Sequence, residues 1–517
     1  ALRKAKTDLK RLRHQDGTLR QTFIERQIKQ YYITNDSVSA RKLQLIRNNE
    51  INSYMYKKIR AYLHPSTQNQ IHYIDVPIDG GINRITKKHD MEQVLLNFHK
   101  SHFSQAKNTP FTHPEFMARF GTAADSLHAT LFRAGDPSEG KFWPNKAEKQ
   151  FLNQFRPHVQ DPPKIDTEIS LEQLKQGFKI WREATGTSPS GRKLPLYKIW
   201  LTKEKVSDAM DGNTFFQIIL DVIQLSQKLK HPLRRWKQVN NIFIPKDPGV
   251  RLINRLRPLH EIEAELNFIR RELIPRRLIK KAEDYGMIPK NNCGGRKGRT
   301  AMDVVMLKFF TISTCTMQRK NCALTDCDAR ACYDRVLPIL LSLCYSKMGL
   351  PEDDCIWLSR ALVNMEYRMV TEHGISIQTS KTDEHGPIFG IGQGSTDAPA
   401  GWLLLTTILS KLYDRSVRGC CLNNPTKDIS MHWTHTMFVD DAYLIHATSQ
   451  PNVSPHVLKQ IVQHDLNKWN EGLHYTEGYL NGENTKYIIM SWKFNPNSTP
   501  YLDKNVLTNN PLLLHTS

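Results

Sequence analysis

Two rhythms of apolar and polar positions run along this chain, and the changes from one to the other mark its elements. Residues 1 to about 64 follow a helical rhythm, and Asp36 and Ser37 stand where they would cap a second helix through Leu43, Ile46 and Ile51. A short β-like run over Ile71–Val76, closed by Asp79-Gly80-Gly81, predicts a strand ending in a hairpin turn. A helix is expected from about Asp90 to Phe103, and residues 104–165, rich in Pro, Thr and His, predict loop or linker with short helices. Patterning then becomes denser. Ser170–Trp181 and Phe215–Leu229 read as helices, Ser188-Pro189-Ser190-Gly191-Arg192 as a turn with a cation, and Val239–Pro245 as a strand. Lys246-Asp247-Pro248-Gly249 is a strong turn signal. Helices and strands alternate irregularly from there to Trp492, which predicts an α+β fold and not a doubly wound sheet. No internal repeat is present.

Charge changes the picture more than composition does. With 517 residues and 39% hydrophobic positions the chain can bury a large core, so wholesale disorder and small disulfide scaffolds are excluded. Its net charge of +21 points to a polyanionic partner. Residues 1–60 alone hold 15 Lys and Arg against 5 acidic residues, which suits either a solvated basic face or contact with nucleic-acid phosphates. Membrane association is not expected, because the longest apolar stretch, Trp402–Tyr413, is too short to span and contains Lys411. The nine cysteines are odd in number and form no C-x-x-C pair, which favours buried thiols in a reducing compartment over structural zinc. No signal peptide is visible, and a chain opening on Ala1 reads as part of a longer protein.

Four stretches could carry chemistry. In Leu324-Thr325-Asp326-Cys327-Asp328-Ala329-Arg330-Ala331-Cys332-Tyr333-Asp334, a strand is expected to run into Asp328 and then bend into a helix; the carboxylate would be aimed at a strand end, or would cap the helix. In Thr436-Met437-Phe438-Val439-Asp440-Asp441-Ala442-Tyr443-Leu444-Ile445, two apolar strands flank adjacent acids at a tight turn. Their repulsion is relieved by a divalent cation or, in an ordinary turn, by solvent. Gly390-Ile391-Gly392-Gln393-Gly394-Ser395-Thr396-Asp397-Ala398-Pro399 allows backbone to approach a ligand, although the same residues could form a plain loop, and no Walker lysine follows. Ile244-Pro245-Lys246 and Arg255-Leu256-Arg257-Pro258-Leu259 put a point charge and a guanidinium fork on neighbouring strands, suited to a triphosphate or simply to a basic hairpin.

Taken in order, these motifs resemble reverse transcriptases, most closely those of non-LTR (LINE-type) retroelements, over roughly Ser170–Trp492. The resemblance implies a right-hand polymerase of fingers and palm, with an antiparallel sheet carrying the acids. Residues 1–66 would be a basic helical extension, 67–165 a linker or extension, 166–492 the polymerase domain, and 493–517 a tail with the thumb largely absent. Fingers would cover about 166–315 and 345–389, and palm about 316–344 and 390–492. It implies an RNA-directed DNA polymerase acting on RNA template, DNA primer or target and dNTPs, with two Mg²⁺ ions (Mn²⁺ as substitute) held by Asp328, Asp440 and Asp441. Lys246 and Arg257 would grip the triphosphate, and Gln393 with Gly394 would meet the incoming nucleotide or template. Tyr333, five residues after Asp328, would clash with a ribose 2′-hydroxyl and so favour deoxynucleotides. Lys486, in Leu480-Asn481-Gly482-Glu483-Asn484-Thr485-Lys486, would act as general acid toward pyrophosphate. Met490 and Trp492 would grip the primer or be core residues, and Arg296, Lys297 and Arg299 in the Cys293-Gly294-Gly295 loop would touch the template. An intracellular, nuclear or cytoplasmic, location follows from the retroelement resemblance, and the cluster from Arg3 to Arg13 is a minimal nuclear-localisation pattern.

Ala398 replaces a serine common in the family, and Cys332-Tyr333 replaces Ala-Phe or Ala-Tyr. Few residues follow Trp492, and no RNase H, zinc-knuckle or endonuclease pattern is visible. Two alternatives stand beside the expectation. One is an RNA-directed RNA polymerase, against which Tyr333 and the Val439 preceding Asp440 count. The other is a catalytically decayed RNA-binding scaffold, against which the presence of all three acids counts.

Overall fold

The computed structural model describes residues 17–49, 71–140, 145–182, 185–186, 188–202, 211–330, 332–382, 388–424, 426, 428–451, 453–476 and 478–503. Ile51, the basic cluster from Arg3 to Arg13, Ala331 and the tail beyond 503 lie outside them. The chain divides into two compact units, residues 1–69 with 182–184, and the remainder. The fold is α+β, about half helical with several small sheets. Among the described residues no helix is long and apolar enough to cross a membrane.

In the first unit, the helix Gly17–Ile33 and a second helix over residues 37–49 bury Ile24, Tyr31, Ala40 and Leu43 against each other. The second begins where a cap was expected: the Asp36 carboxylate accepts from the Ser39 backbone N–H at 3.1 Å, which satisfies an orphan donor of the first turn.

The strands of the second unit, in chain order, are β1 (Ile74–Ile78), β2 (Gly81–Ile85), β3 (Gln238–Pro245), β4 (Leu256–Glu261), β5 (Cys322–Asp328), β6 (Glu366–Thr371), β7 (Gly374–Ser380), β8 (Cys420–Asn423), β9 (Ser430–Trp433), β10 (His435–Phe438), β11 (Asp441–Ala447), β12 (Lys486–Met490), β13 (Trp492–Phe494) and β14 (Pro500–Leu502). Two four-stranded sheets organise the unit. One has the order β10-β11-β5-β12 and is antiparallel throughout; the other, β4-β3-β6-β7, has one parallel pair, β3 with β6.

Alternation along β5 explains the first sheet. Ala323, Thr325 and Cys327 point to one face and are buried, Ala323 against Leu458 and Val462 of the helix Pro455–Tyr475. On that face the buried His446 ring bridges Asp465 at 2.8 Å and Thr325 at 3.1 Å, so its polar atoms are satisfied. The opposite face is split. Its lower half (Cys322, Leu324, Ile445, Ala447 and Met490) is covered by Cys315 and Ile312 of the helix Ala301–Met317 and by Cys420 and Leu422 of β8. By the same alternation, its upper half presents Asp326, Asp328, Asp441, Tyr443 and Lys486.

The described part of residues 104–165 has the expected short helices joined by loops, and it packs onto the rest of the unit, with Phe111, Phe116, Phe120, Phe132, Phe151 and Phe155 buried in the main core. The Ser188–Arg192 turn is structural: Ser190 N–H donates to the buried Glu263 carboxylate at 2.8 Å, and Ala264 N–H to the Ser188 hydroxyl at 3.1 Å. The helix Leu171–Ile180 starts at Ser170 with a capping box to Gln173, and Gly212–Lys228 starts at Asp211.

Candidate active site

Asp328 is the last residue of β5 and Asp441 the first of β11, and the antiparallel register sets them directly opposite each other. The β10–β11 turn consists of Val439 and Asp440, because Phe438 already pairs with Asp441. The expected Asp440-Asp441 turn is thus shifted by one residue, and Asp441 becomes a strand residue on the open face. Three acids from two distant stretches therefore meet at one edge of the sheet, and Asp326, two residues before Asp328 on the same face, adds a fourth.

The turn is under strain. Val439 has φ +59°, a left-handed conformation that a β-branched side chain rarely adopts. Its surroundings hold it there. Trp402 donates its indole N–H to the Val439 carbonyl at 3.0 Å, and Cys293 N–H donates to the Met437 carbonyl at 2.8 Å. Gly294 lies so close that an added Cβ would sit 1.9 Å from the Val439 nitrogen. The Cys293-Gly294-Gly295 loop thus buttresses the hairpin from behind.

The acids repel one another. Burial raises the Asp441 carboxyl above its ordinary value, and Asp440, Asp328 and Asp326 push it further in the same direction, with Lys308 acting against them. Lys308 is itself engaged, 3.4 Å from Asp326 and over the Tyr443 ring at 3.1 Å. Asp328 is held by two amides: Asn484 donates to its Oδ2 at 2.7 Å and Asn481 at 3.0 Å.

A cavity of about 840 Å³ opens beside these groups. Its wall includes Asp328 and Asp440, the cations Lys246, Arg255 and Arg257, and Tyr333, Gln393 and Gly394. The β3–β4 pairing carries the cations, with Arg257 opposite Ile244 and Lys246 N–H bonded to the Arg255 carbonyl at 2.9 Å. Gln393 accepts from His260 N–H at 2.6 Å through its backbone, which leaves its side chain available to the cavity. Gly394, at φ +113°, passes over the His260 carbonyl where a Cβ would lie only 2.3 Å away. Tyr333 is part of the wall and meets Trp402 edge-on at 6.4 Å. Burial, then the neighbouring Cys332 and Asp440, raises its phenol above the ordinary value, so Tyr333 acts as a neutral aromatic wall.

Other expected site residues lie elsewhere. Lys486 opens β12 opposite Asp326, exposed on the acidic face but off the cavity wall. Met490 is core, 7% exposed beside Cys322 and Leu324, while Trp492 is half-buried at its edge. Lys297 and Arg299 are exposed, but Arg296 is not free for a ligand. Its guanidinium donates to Glu283 at 2.7 Å and to the carbonyls of Pro289 and Asn292, bonds that brace the loop. Sequence reasoning missed Asn481 and Asn484, Lys308, and the end of the helix Lys88–Phe103, from which Phe98, Ser101 and His102 reach the wall, followed by Gln105. Side-chain amides three residues apart and a helix in an apparent linker give no local signal of this.

The donor set is hard carboxylate oxygen at a site of excess negative charge, the chemistry that Mg²⁺ and Ca²⁺ favour. Among the described residues no three acidic, histidine or cysteine side chains close on one ion position, and Asp328 is turned onto its two amides. The same cavity is lined by acids (Asp328 and Asp440) and by cations (Lys246 and Arg257), a donor set able to accept both cations and an anionic ligand. No protein-family model matches the chain, and no curated protein matches it.

Proposed function

We propose that this chain is an RNA-directed DNA polymerase core of a retrotransposon-like element, in which the β10-β11-β5-β12 sheet serves as palm and the β4-β3-β6-β7 sheet as fingers. The observation that carries the reading is the register of Asp328 against Asp441, with Asp440 in the adjoining strained turn, beside a cavity that Lys246 and Arg257 also line.

In this reading Asp328, Asp440 and Asp441 would hold two Mg²⁺ ions, which when bound would supply positive charge for the attacking 3′-oxygen and the departing pyrophosphate. Phosphoryl transfer needs chiefly positioning and electrostatics, and this chain's own residues provide them. Lys246 and Arg257 draw in the triphosphate as a point charge and a fork. Tyr333 closes the sugar end, and its bulk excludes a 2′-hydroxyl. Gln393 offers donor and acceptor to a base or sugar. Lys486, on the acidic face, stands ready to protonate the leaving pyrophosphate. Lys297 and Arg299 offer phosphate contacts to the template, Trp492 offers an edge to the primer, and the basic helices of the first unit add sequence-independent affinity for nucleic acid.

The test is primer extension on poly(rA)/oligo(dT) with Mg²⁺, supplying dTTP or UTP. Extension with dTTP in strong preference to UTP supports the reading. Preference for UTP would make the chain an RNA polymerase. Nucleic-acid binding without extension would make it a scaffold.

A further inference from the structure

The residues that follow Tyr333 are fixed from outside their own motif. Asp334 and Arg335 complete the short helix Cys332–Arg335, and both are tied to the C-terminal end of the helix Lys88–Phe103, more than 200 residues earlier. Arg335 donates to the Gln105 Oε1 at 2.7 Å. That bond orients the Gln105 amide, whose Nε2 then donates to His102 Nδ1 at 3.2 Å. With Nδ1 serving as acceptor, the His102 proton resides on Nε2, which donates to Asp334 Oδ2 at 2.8 Å. The relay closes on itself, because Asp334 and Arg335 are consecutive residues.

Its burial makes the relay demanding. The Asp334 side chain is 2% exposed, and its Oδ1 has no hydrogen-bond partner among the described residues. His102 is thus one of the few groups compensating a buried carboxylate. The backbone around it is equally tied. Ile391 N–H donates to the Tyr333 carbonyl, Gly390 N–H to that of Val336, and Phe389 N–H to that of Phe103. Helix end, glycine loop and Tyr333 segment therefore share one network, and His102, Gln105, Tyr333 and Asp334 all face the same cavity.

We propose that His102 and Gln105 are positioning residues that hold Tyr333 against the sugar of the incoming nucleotide, so that part of the discrimination between deoxyribo- and ribonucleotides originates in the segment upstream of the motifs. This rests on the polymerase reading. Neither residue touches the reacting atoms; each acts through Asp334 and Arg335 on the placement of Tyr333.

The experiment measures kcat/KM for dTTP and for UTP on poly(rA)/oligo(dT), with the melting temperature of each variant as the check on folding. His102→Ala is expected to lower the dTTP-to-UTP ratio about tenfold, the equivalent of one charge-assisted hydrogen bond. His102→Gln, whose amide still donates to Asp334, is expected to restore most of the ratio. Gln105→Ala, which leaves the His102–Asp334 hydrogen bond in place, keeps the test open if His102→Ala does not fold, and should also lower the ratio. Folded alanine variants that retain the wild-type ratio would overturn the proposal, as would His102→Gln behaving like His102→Ala. A wild-type protein that neither extends the primer nor binds either nucleotide would instead overturn the polymerase reading, and this inference with it.

Discussion

Asn484 donates its side-chain amide to the Asp328 carboxylate at 2.7 Å, and Asn481 joins it on the same oxygen. Two hydrogen bonds to one oxygen fix where that carboxylate points. Removing such outer partners of a ligand costs about 10–100-fold in activity or metal affinity. The Asn481→Ala, Asn484→Ala double variant should therefore fold normally and extend a primer about 10–100-fold more slowly. Single-turnover rates at saturating dTTP check this, and unchanged rates would show that Asp328 needs no help in being aimed.

Gly294 packs against the backbone of the strained turn. A methyl group there would meet the Val439 nitrogen at 1.9 Å, a contact with main chain that cannot swing aside. Gly294→Ala should destabilise the protein by about 2 kcal/mol or more. Urea denaturation measures it. A variant as stable as wild type would mean that the loop and the turn are not in contact.

His260 lies buried between Phe103 and Tyr367, and burial pushes its imidazole down to about 4. His99 beside it is lowered by the same cause. An unfolded histidine titrates near 6.5. Between about pH 6.5 and 4 the unfolded chain takes up protons that the folded chain does not, so stability declines as pH falls through that window. For His260 the full effect is about 3 kcal/mol. His260→Phe, which keeps the aromatic packing, should show a flatter decline in melting temperature over this range. Superimposable pH curves would mean that His260 is not held neutral.

The parts of the site legible in the sequence are those fixed by neighbours along the chain. Alternation in β5 puts Asp328 at a strand end, the apolar runs around Asp440 make a hairpin, and the glycines at 390–394 mark a close approach. Each of these is a property of a few consecutive residues. The α+β class follows from the irregular succession of helices and strands in the same way. What was not legible depends on partners distant in sequence. Arg296 looks available until Glu283 and two carbonyls are folded against it. Met490 is core because the helix Ala301–Met317 and β8 cover that half of the sheet, which no pattern in β12 reveals. The phenylalanines of residues 104–165 are spaced too irregularly to announce a packed layer. The His102 relay needs residues more than 200 apart to meet.

The central claim is that the carboxylates at the end of β5 and in the β10–β11 hairpin serve nucleotidyl transfer. Single-turnover extension of oligo(dT) on poly(rA) with Mg²⁺, by wild type, Asp328→Asn and Asp440→Asn, tests it most directly. Asparagine keeps the shape and removes the charge. The account predicts that each variant stays folded and loses about a thousandfold or more in rate. Three folded proteins extending the primer at the same rate would contradict it.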